Sequence, residues 1–332
     1  MDFTDRKILV AGGAGFIGTN LALRLTRQGA RLRLTLHDKP LQAAFPTAEV
    51  VKLDLRRLED CARAVEGMDY VFICAAHTSG AAVIRATPLA HVTPNVLINA
   101  SLLDAAYRAR VQKVCFISTG AVYPDTGARP VAEAEGMMGD PHEVYFPVGW
   151  MKRYVEILCR TYGEKITPSM PTVVVRPSNI YGPYDKFDFA VSHVTAALIR
   201  RVVERQTPLE VWGTGEDIRD LLYIDDFIDG LLAAFAVDRA YFEVNICAGR
   251  GHSVRQVLQT LLDVDGFGDA DVRFDPSRPS TIPVRLMDNR LARDLLGFEA
   301  RTRLPDGLRR TLEWYRTTHD PKQTPKTVRE TS

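Results

Sequence analysis

Cysteine is scarce and unpaired in this sequence, with five residues (Cys61, Cys74, Cys115, Cys159, Cys247) in 332, odd in number and without a C-x-x-C pair. That pattern excludes a disulfide-built scaffold and the usual cysteine zinc sites, and the apolar runs around most of them predict buried free thiols. An excess of either charge is missing as well. Lys+Arg 42 against Asp+Glu 41 leaves a net +1, so no global field argues for nucleic acid or a membrane surface, and an anionic ligand must be held by local groups. No apolar run approaches the roughly 18 residues of a spanning helix. The opening MDFTDRK is charged from residue 2 and has no apolar signal-peptide core, so a cytoplasmic protein is expected. No internal repeat is visible.

What the first half does contain is short apolar, β-branched runs alternating with helical periodicity: KILVAG (7–12), RLRLTL (31–36), EVVKLDL (49–55), YVFICAA (70–76), VCFIST (114–119) and TVVVRP (172–177). This alternation predicts an α/β fold, a Rossmann-type doubly wound parallel sheet over 1–177, its sheet completed by parts of 220–250. After residue 177 the rhythm breaks into Pro/Gly/Tyr-rich loops, a helix near 191–204, the turn Trp212-Gly213-Thr214-Gly215 and a helix from about Asp226. Residues 178–316 therefore read as a smaller C-terminal α/β lobe that takes the substrate. Residues 317–332 are polar and aperiodic and read as a disordered tail.

The first run leads into Gly12-Gly13-Ala14-Gly15-Phe16-Ile17-Gly18, with a helix expected from about Thr19. Glycines at 12, 15 and 18 let backbone approach a pyrophosphate and let helix pack on strand, and the helix start offers free N–H groups, including those near Phe16 and Ile17. Asp38 follows at the end of the second strand, where a carboxylate accepts from the adenosine ribose hydroxyls. It favours NAD over NADP by repelling a 2′-phosphate, although His37 and Lys39 flank it. Asp54 and Leu55, ending the third strand, are placed near the adenine, Asp54 having a helix cap as its alternative role. Ala75 and His77, in CAAHTSG, fall where such sheets place their ligand edge, Ala75 on the cofactor and His77 as an active-site residue.

The glycine spacing, together with RPSNIYGPYDKFDFAVSHVTAALIRR and VWGTGEDIRDLLYIDD, resembles the extended short-chain dehydrogenase/reductase family of nucleotide-sugar epimerases, dehydratases and reductases. Over residues 5 to 315 the chain looks most like the GDP-L-fucose synthase branch. The resemblance implies that Asn179, His193, Val194, Leu198, Trp212 and Arg219 line a nucleotide-diphosphate pocket closed by Arg278 or Arg285. Guanidinium groups suit a diphosphate and an indole face suits a base. It further implies Lys152 as the lysine of a Tyr-x-x-x-Lys pair that also holds the cofactor ribose, Thr119 as the Ser/Thr beside it, His193 as a general acid, a GDP-hexose as ligand, and a homodimer built from the helices near 93–110 and 148–162.

Two expected groups are absent. Position 148, four before Lys152, is Val, and the branch's basic cysteine is replaced by Ala121. Tyr145 lies seven residues before Lys152, but Pro147 suggests a helix only just begun. Losing a general base costs about a hundred- to ten-thousand-fold in rate. Three readings follow: a non-redox nucleotide-sugar isomerase, such as a pyranose/furanose mutase, which is favoured; an NAD(P)-dependent epimerase or reductase with a substitute base; and a nucleotide-sugar-binding pseudoenzyme. A divalent metal could assist the first through His77, His193, Asp185 or Asp188, but no ligand motif shows one.

Overall fold

The computed structural model describes residues 1–77, 87, 89–189, 191–278 and 282–319. Its strands are β1 (Lys7–Ala11), β2 (Arg31–Leu36), β3 (Glu49–Lys52), β4 (Tyr70–Ile73), β5 (Lys113–Ile117), β6 (Thr172–Pro177), β7 (Asn179–Tyr181), β8 (Leu209–Trp212), β9 (Ile218–Tyr223), β10 (Tyr241–Ile246), β11 (Gly251–Ser253), β12 (Val272–Asp275) and β13 (Val284–Arg285). The helices are α1 (Phe16–Arg27), α2 (Leu58–Val65), α3 (Leu89–Arg108), α4 (Phe146–Arg160), α5 (Val194–Val203), α6 (Ile224–Phe235), α7 (Val254–Asp265), α8 (Arg290–Leu296) and α9 (Leu304–His319).

Seven parallel strands form the central sheet in the order β10-β6-β5-β4-β1-β2-β3. Its order reverses between β1 and β4, which places a ligand crevice at the strands' carboxyl ends. The sheet is covered on both faces, so its inner strands are mostly apolar; every residue of β4 and β5 is buried, Lys113 included. Alternation along β1 shows why: Ile8 and Val10 join the core under α1 and α6, while Leu9 and Ala11 join the one under α2, α3 and α4. Residues 241–246 supply the outermost strand, paired with β6. Charge enters this core with hydrogen-bonding partners, backbone carbonyls for Arg153 and carboxylates for Arg176. Arg176 of β6 and Glu156 of α4, both without exposed side-chain surface, pair at 2.7 Å, and Glu243 of β10 adds a second carboxylate at 2.9 Å.

The second lobe centres on β9, flanked by β11 and β13 and paired also with β7, with β8 and β12 as a separate ribbon and α5, α7 and α9 packed beside them. Three boundaries differ from expectation. Helix α1 starts at Phe16 rather than near Thr19, because Gly15 is extended and already serves as its N-cap. The third and fourth strands stop at Lys52 and Ile73, short of 55 and 76, leaving the chain free at the ligand edge. Residues 317–319, expected in the tail, finish α9. The His319 ring stacks on Tyr315 at 4.2 Å and extends an aromatic cluster with Phe187 and Trp314; residues 320–332 lie outside the described part. Four of the five cysteines are buried, Cys74 is half-buried, and all are free thiols. Among the described residues no helix is long and apolar enough to cross a membrane.

Candidate active site

The glycine loop fills the crevice opposite β4. Gly12 has φ +85°, and a Cβ there would lie 2.7 Å from the Ala75 backbone, while one on Gly18 would lie 2.2 Å from the Gly12 carbonyl. Only bare backbone fits this close approach. Thr19 N–H is the first to bond back into the helix, to the Gly15 carbonyl at 2.8 Å. Phe16, Ile17 and Gly18 therefore supply the free N–H groups that suit a pyrophosphate. Asp38 stands just beyond β2 with its carboxylate 80% exposed and oriented by His37 Nδ1 at 2.7 Å, fitting a ribose diol acceptor. Leu55 is buried. Asp54 does not cap α2, whose N-cap is Arg57. Its carboxylate is taken by Arg56, which lowers its pKa to about 2. These features fit a dinucleotide.

Lys152, on α4, reaches the end of β5, where its Nζ donates to the Ile117 carbonyl at 2.8 Å and sits over the Phe116 ring at 4.5 Å. Burial depresses its pKa to about 8. Thr119 lies two residues beyond Ile117, its Oγ1 accepting the Ala121 N–H at 3.2 Å and capping a short 3-10 turn. One helical turn before Lys152, Val148 is half-buried and packs against the apolar cluster that holds Ala75, Val92 and Val96. Tyr145 is the N-cap residue of α4, so no helical spacing relates its phenol to Lys152. Its ring instead lies 5.6 Å from the Arg285 guanidinium.

Arg285 and Arg219 are direct neighbours in the β13–β9 ladder. Burial, then the Arg219 charge after the favourable Tyr145 contribution, acts on Arg285, whose pKa is lowered. Arg219 is held by the Ile218 carbonyl and by Asp217 at 3.2 Å. Trp212 is 58% exposed with Arg278 at 5.2 Å from its ring centroid, leaving an open aromatic surface. Asn179 starts β7 half-buried. Val194 is exposed at the start of α5, whereas Leu198 is 3% exposed and packs in the main apolar core. His193 is the N-cap residue of α5. Solvent reaches its ring, yet the protein around the cleft desolvates it and, with the Lys186 charge, lowers its pKa.

His77 lies in the segment beyond β4 and is solvent-accessible. Beside it the structure brings residues that the sequence reading passed over: His91, its ring 6.0 Å from that of His77, and Asn95, which grips the His77 backbone. Their spacing of four, repeated at Asn99, was the available signal. Lys186, also passed over, acts electrostatically on both His91 and His193. Asp185 is buried and its pKa is raised to about 7. Among the described residues no group of three or more His, Cys, Asp or Glu is arranged to hold a metal ion.

A doubly wound parallel sheet with a glycine loop fitted to close backbone approach at its switch point defines a Rossmann-type dinucleotide-binding fold. The chain belongs to the NAD dependent epimerase/dehydratase family, whose profile matches residues 8–247. GDP-L-fucose synthase of Escherichia coli (strain K12) is 27% identical over 326 residues, spanning 94% of this chain and 97% of the relative. GDP-mannose 3,5-epimerase of Arabidopsis thaliana is 26% identical over 315 residues, 93% and 81% of the two chains. Among solved structures, UDP-glucose 4-epimerase of Thermotoga maritima with UDP-glucose superposes with a TM-score of 0.84 at 26% identity, covering 94% of this chain and 99% of the other.

Proposed function

We propose that this protein holds NAD at the glycine loop and a GDP-hexose in the second lobe, and isomerises the sugar without net hydride transfer, interconverting pyranose and furanose forms. Val148 is the observation that carries this reading. An aliphatic side chain stands one turn before Lys152, Ala121 replaces the cysteine, and the phenol of Tyr145 is turned to Arg285. The groups suited to a diphosphate are meanwhile kept, with Arg219 and Arg285 side by side. Guanine is favoured by the two GDP-sugar relatives, and the exposed Trp212 ring offers a surface on which a base can stack.

Gly12, Gly15, Phe16, Ile17, Gly18, Asp38, Leu55, Ala75 and Lys152 would hold the cofactor, with Asp54 nearby. Bound NAD would supply the positive charge of its nicotinamide ring, with no net hydride transfer. Lys152 orients the nicotinamide ribose, Thr119 hydrogen-bonds the hexose, His193 moves a proton, and the arginines hold the diphosphate while bonds at the anomeric carbon exchange. A second reading, an epimerase or reductase with a substitute base, is favoured by one observation: two imidazoles, His77 beyond β4 and His193 at the N-cap of α5, are both solvent-accessible. The exposed apolar residues of α4 (Phe146, Trp150, Tyr154, Ile157) and Leu97 of α3 support a homodimer joined through these helices.

The deciding experiment follows GDP-hexoses by NMR, with and without NAD and a divalent metal, while recording reduced-nicotinamide absorbance. Ring interconversion with constant absorbance is expected. Epimerised or reduced products would establish the second reading, and saturable binding without any product would identify a pseudoenzyme.

A further inference from the structure

Along one face of α3, His91, Asn95 and Asn99 follow one another at a spacing of four, and they are only 4%, 3% and 1% exposed. A polar face buried on a helix costs stability unless its groups find partners. The partners found here converge on one residue. Asn95 Oδ1 accepts the His77 N–H at 2.8 Å, and Asn95 Nδ2 donates to the His77 carbonyl at 2.9 Å and to the His91 carbonyl at 2.5 Å. Asn99 Nδ2 in turn donates to the Asn95 carbonyl at 2.7 Å. One amide thus fixes both backbone polar groups of His77, at the point where the chain leaves the ligand edge of the sheet.

The His77 ring has solvent access and the His91 ring does not, the two being 6.0 Å apart and tilted by 58°. Burial, opposed in part by a hydrogen bond to the His77 backbone and aided by the charges of His77 and Lys186, lowers the His91 pKa. A buried ring packed behind an accessible one restricts the rotamers of the front imidazole. His193, the N-cap residue of α5, feels the same Lys186 charge that acts on His91.

We propose that His77 accepts the proton of the attacking hexose hydroxyl and that His91, fastened to it through Asn95, is its positioning residue. Both assignments rest on the ring isomerisation proposed above. The hydroxyl at C4 gives its proton to the His77 imidazole as an oxygen electron pair forms the new bond to C1. The bond from C1 to the original ring oxygen breaks, its pair stays on that oxygen, and a proton passed from solvent by His193 neutralises it. His77 ends protonated and returns that proton to solvent, so one proton is taken up, one is released and charge is conserved. Two separate imidazoles are needed because one proton is taken and another given at different oxygens.

The test uses full-length protein with NAD and GDP-mannose. His77→Asn is expected to lower kcat about a hundredfold with KM changed less than about threefold, and added imidazole is expected to restore about a tenth of the loss. His91→Phe is expected to lower kcat about tenfold with KM unchanged, and His91→Gln to recover part of it. A His77→Asn enzyme within threefold of the native rate, or a loss that imidazole leaves untouched, overturns the proposal. If native protein turns over no GDP-hexose, ring isomerisation itself has failed, and the His77 Cε1–H resonance then decides alone. Its shift on adding GDP-mannose but not GDP keeps His77 at the sugar, and an unmoved resonance removes it.

Discussion

At the scale of single residues, Val148 sets what the site lacks and Lys152 what it retains. Both lie on the first turns of α4, and Lys152 already reaches the carbonyl of Ile117 near Thr119. Restoring the phenol by Val148→Tyr is therefore expected to create hydride chemistry, seen as GDP-sugar-dependent change in reduced-nicotinamide absorbance about tenfold above native protein. A folded variant at the native background would mean that Lys152 does not stand where a phenol can use it. Asp185 carries a different consequence. Burial raises its pKa from 3.8 to about 7, so between these values the folded state binds more protons than the unfolded state and stability falls as pH rises. The contribution is whole below about pH 4 and lost above about pH 7. Asparagine keeps the acceptor for the Lys186 N–H, so Asp185→Asn should stabilise by about 2–4 kcal/mol near pH 8 and by little near pH 4, measured by urea unfolding.

At the scale of elements, periodicity made the helices readable but not their roles. The expected helices near 93–110 and 148–162 are present as Leu89–Arg108 and Phe146–Arg160. Their starts were hidden for opposite reasons: Pro94 lies within α3, and Pro147 stands at the first turn of α4, where its missing N–H is harmless. The polar face of α3 was visible as a spacing of four, but its role was not, because its partner is a loop backbone and no sequence pattern announces one. The outer face of α4 was legible as a dimer surface through resemblance alone, and its geometry gives that expectation physical content. Phe146, Trp150, Tyr154 and Ile157 follow a spacing of four, four and three, all exposed, which is one stripe of a helix. Trp150→Glu with Ile157→Glu is expected to halve the mass measured by light scattering while leaving the fold intact by circular dichroism. A native protein that is already monomeric at micromolar concentration would refute the dimer.

At the scale of the whole molecule, the alternation of runs before residue 177 made the parallel sheet legible, because a sheet covered on both faces must be mostly apolar along each inner strand. The cofactor loop was legible for the same local reason, as glycines at 12, 15 and 18 answer close backbone contacts. The second lobe was less so: Arg219 and Arg285 become neighbours only through the β9–β13 pairing of segments 66 positions apart, a long-range register that spacing does not encode. Two side-chain amides then tie the lobes at the cofactor loop. Asn20 of α1 donates to the Pro183 carbonyl at 3.0 Å, and Gln42 donates to the Ala14 carbonyl at 3.1 Å and the Tyr184 carbonyl at 3.4 Å. A ligand on the glycine loop thus stabilises residues of both lobes, and binding to the folded state alone contributes about 2.7 kcal/mol at a hundredfold excess over Kd. NAD should accordingly raise the melting temperature by about 3–6 °C in a single transition. NADP should raise it much less, since the exposed Asp38 carboxylate opposes a 2′-phosphate. Equal shifts would mean that His37, Lys39 and Arg56 around Asp38 offset its charge, and Asp38→Asn would then tip the preference to NADP.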